Sequence, residues 1–183
     1  MNKTLTLSLA LAASLLTAGC GREGTPAADH SSAASAAAPS AGTDRARFLL
    51  AAEPAGARGV RDARKDAKDG DDVVIVGRIG GERKPWVDGR ATFRVVDSAF
   101  KPCNERDDDG CKTPWDYCCD DTDELRQGMA TVKVVDGEGK TVAVDARELL
   151  GVKELQTVVV KGKAKRDAEG NLTVLASGVY ARP

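Results

Sequence analysis

Four cysteines, Cys103, Cys111, Cys118 and Cys119, fall within residues 98–128 of a 183-residue chain. Seven residues separate the first two, six separate Cys111 from Cys118, and Cys119 is adjacent. Thiols in this number support two chemistries. In the first they pair as disulfides. Adjacent cysteines make poor partners, because the ring they close is far from relaxed disulfide geometry. Cys103 and Cys111 are therefore expected to pair with Cys118 and Cys119, in either order. Closing a loop of about 15 residues contributes ~3 kcal/mol on a chain-entropy account. In the second chemistry four thiolates hold zinc or copper(I). Against it, no Cys-x-x-Cys pair is present, and neighbouring cysteines seldom ligate one ion together. The absence of Cys-x-x-Cys, with carboxylates nearby that raise thiol pKa values, also weighs against a redox role.

The same stretch carries oxygen ligands and aromatics. Glu105-Arg106-Asp107-Asp108-Asp109-Gly110 places acidic residues at alternate positions before a glycine, with Asp116 at the twelfth position. That spacing resembles an EF-hand calcium loop. Glu105 replaces the first Asp, Asp116 replaces the bidentate Glu, Pro114 interrupts the loop, and no helices flank it. The departures weigh against calcium and favour a solvated acidic loop. Trp115 and Tyr117 flank Asp116. Rings of that area usually end up buried, so they are expected to pack over the sulfurs, with an exposed ligand platform as the alternative. Trp86, after Pro85, is a further candidate ligand-face aromatic.

These residues must be positioned by strands. Residues 72–79 (DVVIVGRI) form a β-branched run bounded by turn residues, which predicts a strand bent or bulged at Gly77. Residues 90–97 alternate, with Ala91, Phe93 and Val95 on one face. The cysteine segment follows. Residues 130–136, a turn at 137–139 and residues 141–144 read as a hairpin. Residues 146–155 read as a short helix burying Leu149, Leu150 and Val152. Residues 157–165 form another strand, interrupted at Gly162. Its Lys161, Lys163 and Lys165 alternate and so share one face, expected to be the solvent face. Residues 172–180 form the last strand. Before the first strand, residues 45–52 read as a short docking segment. In residues 59–68 Val60, Ala63 and Ala67 make a thin helical stripe.

The order strand, strand, strand, helix, strand, strand, with glycines in the first and fourth strands, resembles the OB-fold, a small Greek-key barrel. The resemblance covers residues 72–180. It implies a mainly β domain over residues 72–183, with a Cys-rich insertion at 98–128 between the second and third strands. It also places Trp86 near the position where OB-folds bind ligands.

The N-terminus resembles the signal of bacterial lipoproteins. Lys3 gives a short basic region, residues 5–16 are apolar but too short to span a bilayer, and Leu16-Thr17-Ala18-Gly19-Cys20 is similar to a lipobox. The resemblance implies cleavage after residue 19, lipidation of Cys20 and a membrane anchor. It also implies a periplasm-facing domain, with Gly21 leaning toward the outer membrane. Residues 20–44, rich in Ala, Ser and Pro, lack the apolar area to offset ordering entropy and read as a tether. Residues 45–71 form the docking segment and helix. Outside the cytoplasm disulfides persist, which makes the two-disulfide staple the leading expectation for the cysteine segment.

Composition narrows the function. Lysine and arginine number 27 against 28 acidic residues, and with the compartment this argues against nucleic acid. The sole histidine, His30, lies in the tether. No Ser-His-Asp set, phosphate loop or domain histidine is present, so no catalytic residues are assigned and no enzyme is expected. A membrane-tethered haem chaperone of similar fold needs a histidine and is excluded on that ground. What remains is an interaction module for an envelope protein or glycan. The alternative is a thiolate carrier of copper or zinc.

Overall fold

A computed structural model describes residues 41–107 and 110–183. Cys20, His30, Asp108 and Asp109 lie outside the described residues. The chain opens with α1 (Ala41–Phe48), β1 (Arg58–Gly59) and α2 (Val60–Asp66). Five longer strands follow: β2 (Asp72–Ile79), β3 (Thr92–Val96), β4 (Met129–Val134), β5 (Thr157–Arg166) and β6 (Leu172–Ala181). Between them lie α3 (Thr122–Gln127) and α4 (Ala146–Leu150).

The five strands close into a barrel. β2 pairs antiparallel with both β3 and β5, β3 with β4, and β5 with β6. β4 and β6 run parallel, with α4 and β5 between them in the chain. This is the OB-like topology expected from the strand and helix order. Period-2 alternation explains which residues face inward. Along β5, Val160, Gly162 and Ala164 are buried while Lys161, Lys163 and Lys165 are exposed. Ile75, Ile79, Phe93, Val95, Val132, Val134, Val158 and Val174 fill the interior.

The two strand glycines differ. Gly162 marks a register shift against β6, a bulge, and a Cβ there would collide with the Leu175 carbonyl. Gly77 sits in unbroken register with β5. It is not bulged. It is small because a Cβ would come within 2.8 Å of the Val96 carbonyl oxygen. The 141–144 strand reduces to a single bridge, Val135 to Thr141, beyond the Asp136 turn. The helix expected over residues 146–155 is shorter, because Gly151 adopts φ 68° and terminates it. Leu149, Leu150 and Val152 are buried as expected.

The N-terminal segment docks as anticipated. Phe48 enters the core and Leu50 N–H donates to the Val179 carbonyl. Val60 and Ala63 of α2 pack inward. Gly59 offers α2 no capping side chain. The cap comes from Asp97, just past β3: its Oδ2 accepts from Arg61 N–H at 2.8 Å, and its Oδ1 accepts from Ala99 N–H at 2.9 Å. Asp97 thus ties the helix to the point where the chain enters the cysteine segment.

Candidate functional site: a thiol and carboxylate cluster on the barrel cap

Residues 98–128 form a cap over one end of the barrel, with a small core of their own. Phe100, Tyr117 and Leu125 are buried together against Val96 of β3. Gly81, at φ 94°, donates its N–H to the Trp115 carbonyl at 2.7 Å, and Gly80 leaves no room for a Cβ against that same carbonyl. The Arg78–Glu105 ion pair (2.6 Å) joins the cap to β2, and Arg106–Asp120 (2.6 Å) ties the cap internally. The helix α3, not anticipated, is capped by Asp121, whose side chain accepts from the N–H groups of Asp123 and Glu124. The signal for it was present: an acidic residue at the helix N-cap followed by acidic residues in the first turn.

Two short 3-10 turns aim the ligating atoms. One, Cys103–Glu105, starts after Pro102 and places Cys103 fully buried beneath the cap. The other, Pro114–Asp116, ends at Tyr117, which adopts the left-handed conformation at φ 55° and ψ 34°. A non-glycine residue pays for this backbone geometry. It is held by complete burial of the ring. The reversal turns Asp116 and Cys118, on either side of Tyr117, toward Cys103 and Cys111.

The result is one cluster. Sγ of Cys103 lies 3.8 Å from Sγ of Cys118, and Sγ of Cys111 lies 3.6 Å from Sγ of Cys118. The donor atoms of Cys103, Cys111, Asp116 and Cys118 all fall within 4.8 Å of one another. A tetrahedral ion with metal–sulfur bonds of about 2.3 Å sets ligand sulfurs about 3.8 Å apart. The carboxylate is oriented from outside the cluster. It accepts from the Thr113 hydroxyl at 2.7 Å and from Cys118 N–H at 3.0 Å, the kind of support that fixes a ligand in place.

Cys119 stands apart from this quartet. Its Sγ is 3.2 Å from that of Cys103. No disulfide joins the described cysteines, and all four are thiols. The closest sulfur approaches, Cys103 with Cys119 and Cys111 with Cys118, follow one of the two pairings expected for a staple. These separations exceed the ~2.05 Å of a disulfide, and Cys103, Cys111 and Cys118 also gather with the Asp116 carboxylate. Adjacent Cys118 and Cys119 do not share the quartet, in line with the rule that neighbours seldom ligate together. Asp116 supplies the fourth position.

The thiols are pushed in different directions. Burial opposes ionisation of Cys103, but hydrogen bonds from Cys119, Cys118 and Cys111 together hold its pKa below the ordinary thiol value. Cys118 is pushed up, first by its contact with Cys111 and then by Cys103, and Cys119 is pushed up by Cys103. Burial also opposes ionisation of Asp116, yet its bonds from Thr113 and Cys118 bring it below the usual carboxylate range. The expectation that nearby carboxylates raise every thiol thus fails at Cys103. Its neighbours in space are thiols able to donate.

The remaining candidates divide. Tyr117 is fully buried and is no ligand platform. Its hydroxyl and Asp120 Oδ2 are the buried side-chain polar atoms without a hydrogen-bond partner among the described residues, and burial pushes the phenol up to about 12. Trp115 is half-buried and donates from its indole N–H to the Arg83 carbonyl. Trp86 donates to Glu154 at 2.6 Å, packs on Phe93 and lies under Arg147. Of the calcium pattern, Glu105 is taken by Arg78, and Asp116 turns to the sulfurs.

Trp86 also lines a cavity of about 320 Å³ with Lys133. A second cavity of about 480 Å³ shares Glu82, Arg94, Thr131 and Thr173 with the first, so the two form one groove across β3, β4 and β6.

The molecule is an OB-like barrel bearing an inserted thiol-rich cap. No protein-family model matches the chain, and no curated protein matches it significantly in sequence.

Proposed function

We propose that the chain is a lipid-tethered protein of the cell envelope whose barrel carries a metal–thiolate centre of the zinc class. Cys103, Cys111, Cys118 and Asp116 are the ligands. The observation that carries the reading is the convergence of those four donor atoms within 4.8 Å. Three thiolates with one carboxylate suit zinc, a borderline ion that accepts both. Copper(I), which selects soft sulfur, is less well served by the oxygen. The ion closes an excursion whose own core is three buried side chains, Phe100, Tyr117 and Leu125, packed on Val96, so it fastens the cap. Cys20 and the tether place this unit at the membrane surface, and the envelope supplies its partners. The described residues include no helix long and apolar enough to cross a membrane.

A second reading keeps the barrel face as a binding surface for an envelope protein or glycan. The groove running from Trp86 past Arg94 and Thr131 favours it. The two readings are compatible, because none of the four ligand side chains lines the groove.

The test uses the full chain, purified in detergent under reducing, oxygen-free conditions and supplied with zinc. Elemental analysis is expected to find about one zinc per chain, retained through gel filtration and lost in Cys103→Ser. Fully reduced protein that holds no zinc would refute the metal centre.

A further inference from the structure

The quartet leaves out one thiol, and that thiol is the closest of all to a ligand. Cys119 Sγ lies 3.2 Å from Cys103 Sγ, nearer than either ligand sulfur separation of 3.6 or 3.8 Å. Cys103 is fully buried, whereas Cys119 is exposed. Bringing the two sulfurs to bonding distance requires a movement of about 1 Å. Cys103 is also the innermost ligand, so its loss leaves the ion held only by groups nearer the surface: Cys111 and Asp116 are half-buried and Cys118 is exposed.

We infer that Cys103 and Cys119 form a redox-active pair whose oxidation by a disulfide-bearing partner releases the metal. This rests on the metal reading above and assigns its regulation. The pair arises from folding rather than from a Cys-x-x-Cys motif. Cys119, the accessible thiol, attacks one sulfur of the partner disulfide, gives a mixed disulfide and expels the first partner thiolate. Cys103 then leaves the ion, attacks Cys119 Sγ and expels the second. The two cysteines lose two electrons and become a disulfide. The partner disulfide gains them and becomes one thiol, carrying the proton of Cys119, and one thiolate, and the ion departs with two thiolates and one carboxylate still facing it. Cys111 and Cys118, 3.6 Å apart, are then placed to form a second bridge under stronger oxidation. One arrangement of sulfurs thus supports both the ion-bound and the stapled cap.

The experiment treats zinc-loaded full chain in detergent with oxidised glutathione. Zinc release is followed with a chromogenic chelator, and bridges are mapped by peptide mass spectrometry. Zinc is expected to leave wild type in step with a Cys103–Cys119 bridge. Cys119→Ser and Cys119→Ala are expected to bind zinc with wild-type stoichiometry and to release it on the order of tenfold more slowly, since the accessible thiol that forms the mixed disulfide is gone and glutathione must reach buried Cys103 directly. Release from both variants at the wild-type rate, or a first bridge between other cysteines, overturns the switch and leaves the metal centre standing. Loss of zinc binding in both variants makes Cys119 a ligand and likewise overturns the switch. Reduced wild type that binds no zinc removes the metal centre and the switch together.

Discussion

Replacing Tyr117 by Phe removes one oxygen and tests whether the cap is built as described. The ring is fully buried, sits against Val96, Phe100 and Leu125, and carries a hydroxyl whose polar neighbour Arg78 does not reach it with good hydrogen-bond geometry. A buried polar group left unsatisfied costs about 1–3 kcal/mol. Phe keeps the ring and its packing, so Tyr117→Phe is expected to stabilise the protein by about 1–2 kcal/mol. That is the reverse of the usual outcome for a hydrogen-bonded tyrosine. For a domain of this size the gain corresponds to a rise in Tm of roughly 4–8 °C. Thermal unfolding of both proteins, metal-free and fully reduced, reads the difference without a contribution from the ion. Tyr117→Ala provides the contrast: loss of the ring costs about 3–5 kcal/mol and frees Asp116 and Cys118, so zinc binding weakens as well. Destabilisation of Tyr117→Phe by 1 kcal/mol or more would refute the reasoning. It would mean that the hydroxyl is bonded, with Arg78, the cation that bears on it electrostatically, the first candidate.

Three further outcomes follow from the packing. Asp97→Ala removes the side chain that caps α2 and is expected to cost about 2 kcal/mol in urea unfolding; a change below ~0.5 kcal/mol would contradict the capping role. Gly162→Ala forces a Cβ against the Leu175 carbonyl at the β5 bulge, so a loss of about 1–3 kcal/mol is expected, whereas joint replacement of exposed Lys161 and Lys165 by Gln stays within ~0.5 kcal/mol per site. Asp145 caps α4, and Arg147 first among its neighbours holds its pKa below the ordinary value; because the folded pKa is depressed, its contribution is full above the unfolded carboxylate pKa of about 4 and fades as pH falls through the folded value. Asp145→Ala is therefore expected to cost about 1 kcal/mol at neutral pH, with the gap to wild type closing on acidification, and a gap that widens instead would sink that account.

The barrel was legible along the chain because strand alternation is local. The β-branched run at 72–79 and the alternating lysines of 157–165 show in their own residue order which side faces water. Val60 and Ala63 do the same for α2. Gly162 announced a disturbed strand, though Gly77, with the same signal, proved to be a close approach instead of a bulge. The difference lies in a partner strand, which the local residues do not contain. Residues 122–127 were passed over because one turn of helix carries too little periodicity to stand out. The capping of α2 by Asp97 was invisible because 36 residues separate donor from acceptor.

Spacing alone named Cys103, Cys111, Asp116, Cys118 and Cys119 as the residues from which a cluster could be drawn. Tertiary structure decided which of them meet. The left-handed backbone at Tyr117, held only because its ring is buried on the barrel, turns Asp116 and Cys118 inward. It leaves Cys119 beside Cys103 but outside the quartet. Distance along the chain bounds how far apart two side chains can be. Which atoms come within bonding reach depends on turns whose geometry is enforced by packing against strands far away in sequence.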